Sequence, residues 1–125
     1  MTMKRTMIYV IDDDESVRRS FGRLFRSADL DVETFSSAEE FLRGPRRKEN
    51  ACILIDIRMS GSTGFDLQWN LASNGIQTPV IVVSASDDAQ TRERAREQGA
   101  VSFFRKPVDD QALIDAIHWA IGKAK

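Results

Sequence analysis

Two hydrophobic periods alternate along the chain. Met7–Ile11 (MIYVI) is a short apolar run that ends in Asp12, Asp13 and Asp14. Beyond it Val17, Phe21, Leu24, Phe25 and Ala28 recur at spacings of three and four, the stripe of an amphipathic helix over residues 14–28. Asp31–Phe35 (DVETF) alternates and is rich in β-formers, and Ser37 with Glu40 makes an S-x-x-E capping box for a short helix reaching Leu42. Gly44 and Pro45 are expected to stop it. Residues 51–57 (ACILIDI) form a nearly continuous apolar run, as a strand covered on both faces requires.

A turn-rich stretch, SGSTG at 60–64, leads into a predicted helix over 65–73, for which Asn74-Gly75 is the stop. Residues 79–83 (PVIVV) read as another buried strand, ending in Ser84-Ala85-Ser86. Asp87 is placed to cap a polar helix that runs to Gln98, and Gly99 ends it. Residues 100–104 (AVSFF) are the fifth strand, and Lys106-Pro107 follows. The last helix, over 110–122, presents Leu113, Ile114, Ile117 and Ile121 on one side. Five β/α units in strict alternation predict an α/β fold: a doubly wound, five-stranded parallel sheet with five helices. No linker, repeat or low-complexity tract interrupts it, so residues 1–125 read as one domain.

Composition narrows the function classes. Hydrophobic residues make up 42% and charged residues 30% of 125 positions, enough for one core under a wet surface. Eighteen basic and 19 acidic side chains nearly cancel, which argues against the broad positive field that nucleic-acid binding needs. The basic run RGPRRK, from Arg43 to Lys48, reads as a solvated surface turn. Cys52 is the only cysteine, so an internal disulfide is excluded, and its place in ACILI marks a buried thiol suited to a reducing cytoplasm. No long apolar stretch precedes the first acids, and no segment approaches the roughly 20 apolar residues that cross a bilayer. The expectation is a soluble, cytoplasmic protein that engages neither membrane nor nucleic acid directly.

In an open parallel α/β sheet, ligands gather beyond the carboxyl ends of the strands. Asp12 and Asp13 follow the first strand, Asp56 ends the third, Ser84 the fourth, and Lys106 follows the fifth. The second strand contributes nothing obvious there. Clustered carboxylates repel one another unless a cation intervenes. A hard cation such as Mg²⁺ takes oxygen ligands and bridges carboxylates to phosphate. Asp12 and Asp13 can hold the ion, Asp56 can offer it one oxygen and attack phosphorus with the other, and the backbone carbonyl of Arg58 can complete the shell. Mg²⁺, the Lys106 ammonium and the Ser84 hydroxyl can then each take one phosphoryl oxygen. Singly, an acid at a strand end is a cap or loop acid, as Asp14 is expected to be, and a lysine is a solvated charge. The combination is the signal.

These pieces resemble the response-regulator receiver family, similar to CheY and flavodoxin-like in fold, over essentially the whole chain. The resemblance rests on VIDDDESVRRSF, ILIDIRMSGSTGFDL, IVVSAS and GAVSFFRKPV. It implies that Asp56 is the phosphoacceptor, Asp12 and Asp13 the metal-binding pair, Ser84 the switch hydroxyl, Lys106 the family's lysine and Phe103 the switch aromatic. It also implies a cis Lys106-Pro107 peptide. The first helix and FSSAEEFL are similar to regulators of the nitrogen-fixation group, which usually carry a LuxR-type DNA-binding domain. The chain departs from the family where Met59-Ser60-Gly61 stands in place of a methionine-proline-glycine, which loosens the loop.

The reading is therefore a Mg²⁺-dependent two-component phosphorelay receiver, phosphorylated by a histidine kinase or phosphotransfer protein. It is expected to regulate transcription through an effector domain absent from this chain, and to be no enzyme beyond assisting its own phosphorylation and dephosphorylation. Drawing Ser84 toward the phosphoryl group would free space for Phe103 to rotate inward, while Phe104 faces the other side as the core residue. The polar fourth helix suits a surface that shifts, and the face from Asp87 to Ile121 is the candidate for homodimerisation or effector contact. Trp69 and Trp119 fit either a face or the core, Arg58 and Ser86 flank the site where they can tune water access, and His118 reads as a surface residue. Two alternatives stand beside this reading. An aspartyl phosphohydrolase usually carries a second acid two residues after its nucleophile, where this chain has Arg58. An interaction module without chemistry would not need the full set of acids, hydroxyl and lysine.

Overall fold

The third apolar run is buried at every position from Ala51 to Asp56, because helices cover both of its faces. The computed structural model describes residues 5–44, 46–58, 64–86 and 88–124. In chain order the elements are β1 (Met7–Ile11), α1 (Glu15–Ser27), β2 (Asp31–Phe35), α2 (Ala38–Leu42), β3 (Ala51–Asp56), α3 (Gly64–Ser73), β4 (Val80–Ser84), α4 (Ala89–Glu97), β5 (Ala100–Arg105) and α5 (Asp110–Ala124). The strands pair in parallel in the order β2-β1-β3-β4-β5. This is the doubly wound sheet with five helices that the alternation predicts.

Alternate strand residues supply two cores. Tyr9, Ile11, Ile53, Ile55 and Val82 pack with Phe41, Leu67, Leu71 and Ala95 of α2, α3 and α4. Ile8, Val10, Leu54, Ile81 and Val83 pack with Phe21, Phe25, Leu113 and Ile117 of α1 and α5. The period of two therefore sorts each strand between two helical layers.

Local chemistry sets most element ends. Asp14 caps α1, its Oδ1 accepting from the Ser16 amide at 2.9 Å and the Val17 amide at 3.3 Å. Ser37 caps α2 by accepting from the Glu40 amide at 3.1 Å, but the Glu40 carboxylate accepts from the Ser36 hydroxyl at 2.7 Å. The capping box is thus bonded through its serine and turned aside at its glutamate. Gly75 (φ 71°) and Gly99 (φ 102°) take left-handed conformations after α3 and α4, where L side chains are strained.

Several expectations need correction. The cap of α4 is Asp88, which accepts from the Thr91 amide at 2.8 Å; Asp87 lies outside the described residues. Met59-Ser60-Gly61, the rest of the 60–63 turn, and Pro45 also lie outside them. The basic run is more than a solvated turn. The Arg46 guanidinium sits 4.5 Å from the Phe35 ring centroid and 5.5 Å from that of Phe41. The Arg47 amide donates to the Tyr9 hydroxyl at 2.8 Å, and its guanidinium donates to the Arg5 carbonyl at 2.6 Å. These bonds strap the loop across an aromatic cluster. Helix α5 continues past Gly122 to Ala124. Trp69 and Trp119 are exposed, which removes the core-packing option for both, and His118 is on the surface. Phe103 and Phe104 face opposite cores as expected, yet both are only half-buried.

Candidate functional site at the carboxyl edge of the sheet

Strand β1 has β2 on one side and β3 on the other, so connections diverge there and open a crevice beyond its carboxyl end. Ile11 pairs with Ile55, which sets Asp12 and Asp56 side by side at that crevice. Asp12 is 1% and Asp56 6% exposed, whereas Asp13 is on the surface. One carboxylate oxygen from each of the three acids lies within 4.8 Å of the others.

Backbone bonds fix these acids. The Asp12 amide donates to the Phe35 carbonyl at 3.0 Å, and the Asp12 carboxylate accepts from the Asp14 amide at 3.0 Å. The Arg18 guanidinium donates to the Asp12 carbonyl at 2.8 Å. Asp56 Oδ1 accepts from the Arg58 amide at 3.1 Å. Lys106 reaches across from the end of β5, its amide held by the Ser84 carbonyl at 2.8 Å and its following peptide bond to Pro107 cis. The Lys106 Nζ donates to Asp12 Oδ2 at 2.9 Å and to Asp56 Oδ2 at 3.3 Å.

Burial pushes the Asp56 carboxyl above the ordinary carboxylate value, and the Asp12 charge pushes it further, against the Arg58 amide and the Lys106 ammonium. Burial acts to lower Lys106, but hydrogen bonds and charge from Asp12 and Asp56 outweigh it and hold Lys106 above its usual value. Such an oxygen-rich, net-negative cluster fits a small hard cation.

The other sequence-predicted residues surround this group. Ser84 is fully buried, and its hydroxyl accepts from the Ser86 amide at 3.0 Å. Phe103 pairs with Val82 in register while Ser84 pairs with Arg105, so Phe103 lies two pairs back on the neighbouring strand. The Arg92 guanidinium of α4 stands 5.3 Å from the Phe103 ring centroid. Arg58 is exposed and is tied to Asp56 through its amide.

Two residues escaped the sequence reading. Gly64 opens α3 against the backbone that ends β3: a Cβ there would stand 2.6 Å from the Asp56 carbonyl and 2.8 Å from Ile55 Cγ2. Its signal was a glycine opening a helix, where propensity disfavours one unless another backbone approaches. Gln68 is 1% exposed and donates to the Ala95 carbonyl of α4 at 3.0 Å. Its signal was an amide set between Leu67 and Leu71 on the apolar side of a helix.

A family model described as the response regulator receiver domain matches residues 8–118. The chain is 39% identical over 113 residues to nodulation protein W of Bradyrhizobium diazoefficiens, covering 90% of this chain and 50% of that protein. It is 38% identical over 121 residues to the response regulator protein TodT of Pseudomonas putida, covering 97% of this chain and 53% of that protein. The structure superposes on response regulator StyR with a TM-score of 0.88 at 36% identity, covering 97% of this chain and 61% of that one. It superposes on FixJ-N with a TM-score of 0.84 at 32% identity, covering 96% of each. The chain spans about half the length of the curated relatives it matches. With a parallel sheet in this strand order, an acid cluster at its switch point and a match along most of its length, the chain belongs to the response regulator receiver domain family of two-component systems.

Proposed function

We propose that this receiver takes a phosphoryl group on Asp56 and thereby switches an output surface. The observation that carries this reading is the placement of Asp56: a buried carboxylate beside Asp12 and Asp13, 3.3 Å from the Lys106 ammonium. An ionised carboxylate oxygen of Asp56 attacks the phosphorus of a phosphohistidine on a partner histidine kinase or phosphotransfer protein. The new O–P bond forms as the donor's N–P bond breaks, and the departing imidazole keeps the electron pair. Lys106 neutralises charge on the transferring oxygens, and the Ser84 hydroxyl donates to another. A divalent cation such as Mg²⁺, held by Asp12, Asp13, Asp56 and the Arg58 carbonyl, would supply further charge neutralisation there. The added charge draws Ser84 inward, and Phe103 follows on the adjacent strand.

Curated relatives include the transcriptional regulatory proteins TdiR and FixJ, which supports an output through an effector outside these residues. The chain is not itself read as a nucleic-acid binder, and no described helix is long and apolar enough to cross a membrane. The face over residues 87–121 is the proposed surface for a homodimer formed on phosphorylation. The test is incubation with Mg²⁺ and acetyl phosphate, followed by intact and peptide mass spectrometry. Wild type should gain about 80 Da on Asp56, and Asp56→Asn should gain nothing. Equal labelling of both proteins would remove Asp56 from the reaction.

A further inference from the structure

Helix α4 is polar along its length, and Ala95 is its one fully buried side chain among the described residues. A helix so weakly seated is positioned by whatever specific ties it makes. Two of them run to α3. The buried Gln68 side-chain amide donates to the Ala95 carbonyl at 3.0 Å, and the Arg94 guanidinium lies 4.2 Å from the Phe65 ring centroid. Helix α3 is in turn seated on the acid-bearing strand. The Gly64 amide donates to the Ile57 carbonyl at 2.9 Å, and Gly64 packs so close to Asp56 that no Cβ fits between them. Gln68 lies one turn along from Gly64, at the i+4 position on the same face of α3.

An unbroken physical path thus leads from the Asp56 backbone through Gly64 and Gln68 to the last turn of α4. The far end of that path is incompletely bonded. Gln68 Nε2 is satisfied, but Gln68 Oε1 is buried with no partner among the described residues. A half-satisfied buried amide is a costly arrangement, and it makes the present seat of α4 easier to leave than a fully bonded one.

We propose that Gln68 is the positioning residue that latches α4 in the resting state and releases it when Asp56 is phosphorylated. This rests on the reading of Asp56 as phosphoacceptor. Movement of the β3–α3 backbone around a phosphorylated Asp56 shifts Gly64, carries Gln68 with it and breaks the bond to Ala95. Arg94 then loses its seat on Phe65, and α4 becomes free to re-dock. Because binding free energies are reciprocal, a latch that resists activation also weakens the binding of a phosphoryl mimic at Asp56. Removing it must therefore tighten that binding, which a purely structural role for Gln68 would not do.

The experiment compares full-chain wild type, Gln68→Met and Arg94→Ala by hydrogen exchange, with and without Mg²⁺ plus beryllofluoride, and measures beryllofluoride affinity for each. In wild type the mimic should accelerate exchange of the α4 amides. Gln68→Met alone should accelerate α4 exchange about tenfold, the loss of one buried hydrogen bond, while β3 amides keep their protection. Its beryllofluoride affinity should rise by a similar factor. Arg94 is exposed, so Arg94→Ala keeps the fold and should act in the same direction by about threefold. Unchanged α4 exchange in both variants, or affinity equal to or below wild type, overturns the latch while leaving the Asp56 reading intact. A wild type that does not respond to beryllofluoride overturns both.

Discussion

The Lys106 ammonium lies closer to Asp12, at 2.9 Å, than to Asp56, at 3.3 Å. Its shorter bond goes to the more deeply buried acid, so the lysine offsets the charge that water reaches least. Lys106→Met would leave two buried carboxylates facing each other. Removing one partner of a fully buried pair costs about 3–5 kcal/mol, and the 24% exposure of Lys106 reduces this to about 2 kcal/mol. Urea unfolding without metal should show that loss, and saturating Mg²⁺ should restore part of it. A variant as stable as wild type in metal-free buffer would show that the bridge contributes nothing.

Asp56→Asn should stabilise the metal-free protein. Burial and the Asp12 charge raise the Asp56 carboxyl above the ordinary carboxylate value of 3.8, so the fold prefers the protonated form. For a raised carboxyl the favourable contribution is present below 3.8 and is lost as pH rises through the folded value. At neutral pH the ionised group therefore costs stability. The neutral amide removes that cost, an effect of about 1 kcal/mol on the usual scale of single substitutions. Thermal unfolding in chelator should place the variant above wild type, and Mg²⁺ should raise wild type more than the variant.

Gly64→Ala tests how tightly α3 is seated on β3. The new methyl would stand 2.6 Å from the Asp56 carbonyl and 2.8 Å from the Ile57 Cα, both too close for any real contact. Overpacking of this kind costs about 2 kcal/mol, and the displaced Asp56 should be phosphorylated more slowly by acetyl phosphate. Gly122→Ala is the control: nothing lies within 4 Å of that position in α5, so it should gain up to about 1 kcal/mol of helix propensity. Two alanines with the same sign would contradict the packing argument.

Cys52 reports on the opposite core. It is fully buried, and burial pushes its thiol from 9.0 up to about 12. The unfolded chain ionises first, so stability from this group is complete below pH 9.0 and falls as pH climbs toward about 12. Urea midpoints should fall more steeply across that window for wild type than for Cys52→Ala. Native Cys52 should also resist thiol reagents that label it after denaturation. Rapid labelling of the folded protein at pH 8 would contradict its burial.

The alternation of apolar runs and amphipathic stripes was enough to place all five strands and all five helices. Asp14 and Ser37 cap where pattern predicts, since a capping side chain acts only on amides two or three residues ahead. The α4 cap was misplaced by one residue. Asp87 and Asp88 are chemically equivalent neighbours, and the pattern held nothing to choose between them. Arg46 and Arg47 were read as solvated because composition describes charge. The Arg46 guanidinium lies over the Phe35 and Phe41 rings, and the Arg47 backbone amide donates to the Tyr9 hydroxyl, contacts that only the folded chain brings together.

By itself the order of residues determined the element types, the parallel sheet and the acids, hydroxyl and lysine that end its strands. Those follow from local periodicity and from the rule that strand ends in such a sheet share one edge. Only the folded chain decided that Lys106 sits nearer Asp12, that Gly64 packs against the carbonyl of Asp56, and that Gln68 ties α3 to α4. Each is a contact of a few ångströms between different elements of the fold. Its length depends on how the helical layers settle on the sheet, which no local pattern encodes.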